Sequence, residues 1–257
     1  MATVVEFENY EVSVPEALEH AGLAEKAADA QRIIIKPNLL EDIPPPTTTD
    51  VRCVAAIVNW LRVNVPDTEI VIAEGSGGCD TPKAFRALGY DDLSEDLDVP
   101  LIDLDRQPVR EIEVPGVKQW DTIFLPETIL DGFLISAAVL KHHTITAVTL
   151  ALKNLIGMLP EEHYSGFWSY KKSMVHKDDV EKVIHDINVI RRVDFAVIDA
   201  AVGQQGSHLR GGTPFNPPIN KIIASPDPVA ADEAGCRLLG VDPNHVEHIQ
   251  YCRDIYC

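Results

Sequence analysis

Apolar residues along the chain fall into short continuous runs, and these alternate with stretches carrying an apolar position every third or fourth residue. Residues 32–35, 69–73, 101–104, 122–125, 132–136, 195–199 and 221–224 read as strands. Most are apolar throughout rather than at every second position, as in strands covered on both faces. Between them, Val54, Ile57, Val58 and Leu61 make one stripe of a helix over 51–63, introduced by Thr49-Asp50. Val180, Val183, Ile184 and Ile187 make the stripe of a second helix, which Asp178-Asp179 opens and which runs through Ile190. Thr81-Pro82 opens a helix to Leu88 that stops at Gly89, Asp227-Pro228 opens one closed by Gly240, and Asp242-Pro243 opens the last. Residues 145–159 are also predicted to be helical, with Ala147, Ala151 and Leu155 on one stripe and Val148 and Leu152 on another. This alternation predicts an α/β fold on a mainly parallel sheet with helices on both faces. A chain of 257 residues can form it as one domain over 1–257, or as sub-lobes 1–130 and 131–257 sharing a cleft.

Three stretches resist the alternation: 40–48, with Pro44, Pro45 and Pro46, then 161–177 and 202–218. Loops of this length inside a compact domain are functional or disordered.

Charge narrows the function. With 22 Lys and Arg against 40 Asp and Glu, the formal charge of −18 argues against a nucleic-acid backbone or an anionic membrane as partner. The first ten residues have neither a positive n-region nor an apolar h-region, and the apolar stretch 132–140 is far short of a membrane span. A cytoplasmic location is expected. Five scattered cysteines (Cys53, Cys79, Cys236, Cys252 and Cys257) include no C-x-x-C pair, so free thiols are expected and no iron–sulfur cluster is encoded. Cys252 and Cys257 leave open a metal or a pairing with another chain.

Against this acidic background, residues 141–177 hold Lys141, Lys153, Lys171, Lys172 and Lys177 with His142, His143, His163 and His176, opposed only by Glu161 and Glu162. Clustered cations need a counter-charge, so the island calls for an anion unless its lysines pair with acidic residues elsewhere. Lys141 and His143 follow a strand, where α/β sheets bind ligands. Lys153, set among Leu150, Leu152, Leu155 and Ile156, either snorkels to the surface or is buried. If buried, it needs an anionic partner, or its pKa falls and it becomes a usable base or nucleophile. Lys141, Lys153, His143 and His176 are therefore the candidate catalytic residues, with Asn154 beside them as a binding group. His143 and His176 are also the candidate metal ligands, since imidazole suits nickel, iron and zinc, although their spacing is no metal signature.

Two further constellations join them. Residues 202–226 contain no acidic residue and carry Gly203, Gly206, His208, Arg210, Gly211 and Gly212; there Arg210 can clamp an anion. Lys36-Pro37-Asn38 and Glu74-Gly75 end two strands, which makes Lys36, Asn38 and Glu74 candidate substrate-binding residues. Asp199, at a strand end, and Asp232, in an alanine-rich helix, are the carboxylates to follow.

These segments, together with Val148-Thr149-Leu150-Ala151-Leu152-Lys153-Asn154-Leu155-x-Gly157 and the later Ala224-Ser225-x-Asp227-Pro228 and Leu239-Gly240-x-Asp242-Pro243, resemble the prokaryotic family called domain of unknown function 362. Members are often described as iron–sulfur proteins because many carry an appended ferredoxin module, and no such cluster motif occurs in this sequence. The family's Gly-Pro ahead of a late-loop glycine is replaced here, in Ser207-His208-Leu209-Arg210-Gly211-Gly212. A more distant similarity is to the lactate racemase group, in which a lysine carries a nickel-pincer nucleotide and a later histidine helps hold the metal. Lys153, Gly157 and His176 occur in comparable order. The expectation is an enzyme of oxidoreductase or isomerase type that binds an anionic small molecule in a Lys/His-lined cleft, with or without a metal. Its acid/base or redox chemistry would lie next to a carboxylate. The alternative is a non-catalytic partner of a ferredoxin-type redox protein.

Overall fold

A computed structural model describes residues 1–168 and 171–256. Its strands are β1 (Thr3–Glu6), β2 (Arg32–Pro37), β3 (Glu69–Glu74), β4 (Leu101–Asp103), β5 (Val109–Glu113), β6 (Thr122–Pro126), β7 (Phe133–His143), β8 (Ala147–Thr149), β9 (Phe195–Gln205), β10 (Thr213–Pro214) and β11 (Lys221–Ser225). Its α-helices are α1 (Tyr10–His20), α2 (Leu23–Lys26), α3 (Val51–Asn64), α4 (Thr81–Ala87), α5 (Tyr90–Leu97), α6 (Ala151–Asn154), α7 (Glu161–Tyr164), α8 (Val180–Ile190), α9 (Pro228–Leu238) and α10 (Glu247–Cys252).

The main sheet runs β1-β11-β9-β7-β2-β3-β4, with β8 and β10 attached to β7 and β9. The five strands from β9 to β4 are parallel, whereas β11 and β1 add antiparallel at one side. This is the α/β fold expected from the run pattern. Ile33 and Ile35 of β2 point into a core shared with α1, α3 and α5, where Leu18, Ile57 and Tyr90 are buried. Ile34 points the other way, into a core shared with α8, α9 and α10. A strand buried on both faces has no polar side to show, which is why these runs do not alternate. Strands from both halves of the chain meet in this sheet, with β2 pairing β7 from Ile33↔Phe133 to Pro37↔Ala137.

Some expectations need correction. Residues 145–159 are not one helix. They form β8, the single turn of α6 and a 3-10 turn over Leu155–Met158. Thr146, Val148 and Thr149 favour extended backbone, Ala147 sits at φ +58, and the Asp232 carboxylate delays helix formation to Ala151 by accepting the Ala151 and Leu152 N–H groups at 2.8 and 3.1 Å. The strand at 122–125 lies outside the main sheet and pairs antiparallel with β5. Strands β7 and β9 run well past their apolar stretches, so Lys141 and His143 belong to β7 itself. The pairing of β7 with β9 shifts register after Val139↔Asp199 and resumes at Lys141↔Gln204, with Gly203 at φ +75 inside the irregular part of β9.

Among the described residues, no helix is long and apolar enough to cross a membrane. Cys53, Cys79, Cys236 and Cys252 are free thiols, and Cys252 is buried; Cys257 lies outside the described residues.

Candidate functional site

Because β2, β3 and β7 run parallel, their C-terminal ends bring Lys36, Glu74 and Lys141 to one edge of the sheet, where the chain leading into and out of α6 crosses over them. Lys36 is fully buried; its ammonium lies 2.7 Å from Glu74 Oε1 and donates to Asn154 Oδ1 at 3.2 Å and to the Pro37 carbonyl at 3.1 Å. The other Glu74 oxygen accepts from the Leu39 N–H at 2.9 Å. Asn38 Nδ2 also donates to Asn154 Oδ1, at 3.0 Å, and Asn154 Nδ2 donates back to the Lys36 carbonyl at 3.0 Å. Lys172 closes the far side. It donates to the Gly75 and Gly157 carbonyls at 2.6 and 2.8 Å and sits 3.1 Å from Asp105 Oδ1.

Among the described residues, two of the four buried lysines thus have carboxylate partners, and two do not. Lys141 donates to Asn38 Oδ1 at 2.7 Å and to the Thr47 carbonyl at 2.8 Å, both neutral acceptors. These bonds orient the ammonium and leave one of its three N–H groups unused. Lys153 is 6% exposed, and among the described residues no side-chain hydrogen bond or ion pair satisfies it; only the charge of Glu181 favours its ammonium. Burial pushes Lys153 down to about 8. Burial, with the neighbouring Lys153 charge, pushes Lys141 down to about 7. Lys36 and Lys172 are also lowered by burial, against the pull of Glu74 and Asp105.

Facing these lysines is a group of imidazoles. His143 shares its strand face with Lys141, whereas His142 points away and meets the Leu239 carbonyl at 3.2 Å. The His143 ring stacks on His208 at 3.8 Å and lies parallel to His176 at 6.3 Å. His143 Nδ1 accepts from the backbone N–H groups of Ile145 and Thr146, both at 3.1 Å. A backbone N–H can only donate, so the ring proton must sit on Nε2 and His143 is a neutral donor. Burial and the nearby Lys153 charge keep it far below the usual histidine range, and burial followed by Lys153 brings His176 to about 4. Burial, with the charges of Lys141 and Lys153, brings His208 to about 3. The Nδ1 atoms of His176 and His208 and the Thr149 hydroxyl are buried without a hydrogen-bond partner among the described residues.

As a metal site the rings fit poorly. They stack instead of converging lone pairs, the free nitrogen of His143 is already taken by backbone donors, and no described group of three His, Cys, Asp or Glu is placed to hold an ion. Hydrogen-bond donors and two lysines with no carboxylate partner among the described residues line a cavity of about 90 Å³ between Lys141, Lys153, Thr149 and His176.

Of the residues selected from sequence, Lys36, Asn38, Glu74, Lys141, His143, Lys153, Asn154 and His176 all line this cavity. Arg210 does not. It is exposed and reaches back to Asp42 at 3.2 Å and Glu41 at 3.6 Å, latching the loop that presents His208. Lys171 pairs with Glu161, and His163 stacks on Phe124, both outside the cavity wall. Asp199 accepts from the Tyr10 hydroxyl at 3.0 Å and is pushed up by burial to about 6. Asp232, pushed up by burial to about 8 against its two N–H donors, positions the start of α6 and with it Lys153 and Asn154. Sequence reading missed Lys172, Asp105, Thr149 and the inward turn of His208. Lys172 stood in the basic island but had no strand end to mark it, and Asp105 follows β4 as one acid among many.

Gly157 is packed where no side chain fits, since a Cβ there would overlap Glu74 Oε1 and Lys36 Nζ. Gly157→Ala is expected to lower stability by about 1–3 kcal/mol through this overlap. Urea unfolding checks it, and an unchanged midpoint would mean the ion pair moves aside freely.

A family model described as a domain of unknown function (DUF362) matches residues 33–237. The matched span includes every residue named above as lining the cavity. No curated protein matches the chain.

Proposed function

Because the chain belongs to the DUF362 family, whose description assigns no reaction, we propose from the site itself that this protein is an enzyme that binds a small carboxylate and moves a proton at the atom beside it. The observation that carries the proposal is the pair of buried lysines, Lys141 and Lys153, that lack carboxylate partners among the described residues yet line the same cavity. A bound anion supplies the missing counter-charge.

The roles follow from how each group is held. Lys141, oriented by Asn38 and Thr47, and His143, whose only proton is on Nε2, are pre-set donors suited to the carboxylate. Lys153 makes no side-chain hydrogen bond among the described residues, and a pKa of about 8 lets it both take and release a proton near neutrality. His176, neutral at pH 7, can accept or relay that proton. Lys36, Glu74 and Asn154 hold the frame and stay out of the chemistry.

The test is the pH dependence of acetate binding. An anion binds the ammonium forms, so affinity should be highest below pH 7 and fall as pH rises through about 7 and 8, where the two lysines lose their protons. Above that range the fall should approach about tenfold per unit for each lysine that must be protonated. Binding at pH 8 should also take up protons, which calorimetry in buffers of different ionisation enthalpy measures. Affinity that is flat from pH 6 to 9 would remove the lysines from the site.

A further inference from the structure

The anion cavity does not end at its histidines. A second cavity of about 370 Å³ continues from it and shares Leu40, Gly77, Ile156, Lys172, His176 and His208 with it. The two differ in the residues that each adds. The inner wall carries Lys36, Lys141 and Lys153, the asparagines and Thr149, whereas the outer wall adds Ile145, Trp168, Val175 and Leu209 together with Lys171, whose charge is paired with Glu161. Ile145 is 59% exposed and Trp168 is 45% exposed, at the mouth of a chain with a formal charge of −18. Phe167 lies tilted against Trp168 at 4.7 Å, and Trp168 stacks on His176 at 5.2 Å, so aromatic surface leads from solvent to the inner histidines. Exposed apolar groups gathered at a cavity mouth mark a binding surface.

Size points the same way. The inner cavity, at about 90 Å³, falls well below the roughly 300–1,000 Å³ of sites that enclose small molecules, so it takes only the head of a ligand. Whatever follows the head must continue past His176 and His208 into the apolar vestibule.

We infer that the ligand is an amphipathic carboxylate whose charged end sits against Lys141 and Lys153 and whose hydrocarbon tail lies between Ile156, Val175, Trp168 and Leu209. This rests on the anion reading above and adds the tail. It divides recognition into two parts: the inner lysines select the charge, and the vestibule selects the chain.

A homologous series of linear monocarboxylates from acetate to octanoate, titrated into the intact protein by calorimetry, separates the parts. Affinity should rise with each added methylene, by up to about fourfold per carbon where the tail is fully buried. Trp168→Ala and Leu209→Asp should each flatten that rise, read as the octanoate-to-acetate affinity ratio within the same variant. Equal affinity for every acid would overturn the tail and leave the anion reading standing. Failure of every acid, acetate included, would overturn both. The same patch could instead join two copies of the chain. Concentration-dependent self-association of the parent protein, lost in Trp168→Ala and paired with no chain-length effect, would assign the patch to that contact and overturn the proposal.

Discussion

Lys153→Met should raise the melting temperature of the ligand-free protein while lowering its affinity for acetate by about 30-fold or more. The two effects share one cause. A buried ammonium with no hydrogen-bond or carboxylate partner among the described residues costs the empty fold, and an apolar side chain of similar length removes that cost, a gain of about 1–4 kcal/mol. The gain has a defined pH window. The ammonium is disfavoured in the folded protein, with a pKa of about 8 against the ordinary 10.5, so its cost is full below about pH 8. It disappears between there and 10.5, as the unfolded chain also sheds the proton. The stabilisation by Lys153→Met should therefore be largest at neutral pH and shrink in alkaline buffer. Thermal unfolding at pH 7 and pH 10, beside acetate titration, reads all of this. A variant that melts lower than its parent would make Lys153 a structural residue.

Glu74→Gln should act in the opposite sense. Glu74 and Lys36 are almost completely buried and 2.7 Å apart, so removing the carboxylate strands a cation in the interior. A loss of about 3–5 kcal/mol is expected for breaking such a pair from one side. The double variant Lys36→Met with Glu74→Gln should recover most of it, because neither charge is then present. Urea unfolding of the single and double variants forms the cycle. If Glu74→Gln alone lies within about 1 kcal/mol of the parent, the pair contributes little and the frame of the site rests on Asn154.

The contrast between the two lysines also explains what could be read from sequence. Lys36, Glu74 and Lys141 were recoverable because each lies within two residues of a strand's C-terminal end, and parallel strands place their ends together without any knowledge of side-chain packing. Lys153 and Asn154 were recoverable because polar residues inside an apolar stretch are either orphaned or employed. Their local conformation was not, since the interruption at Ala151 is set by Asp232, 81 residues further along the chain. Arg210 looked like a clamp because its neighbourhood lacks acids, yet Glu41 and Asp42 reach it from a proline-rich loop that no local pattern connects to it. Lys172 and Asp105 were hidden for the same reason. Their meeting depends on how two loops lie over the finished sheet.

That dependence has a consequence for how the protein comes into being. The polar frame draws on Lys36, Glu74, Asp105, Lys141, Asn154 and Lys172, so a growing polypeptide has no complete frame until Lys172 has left the ribosome, well past the midpoint of synthesis. Before then the same cations are exposed to water and ordinary in their basicity. The lowered basicity of these lysines is therefore absent from the nascent chain and arises only when the finished fold closes around them.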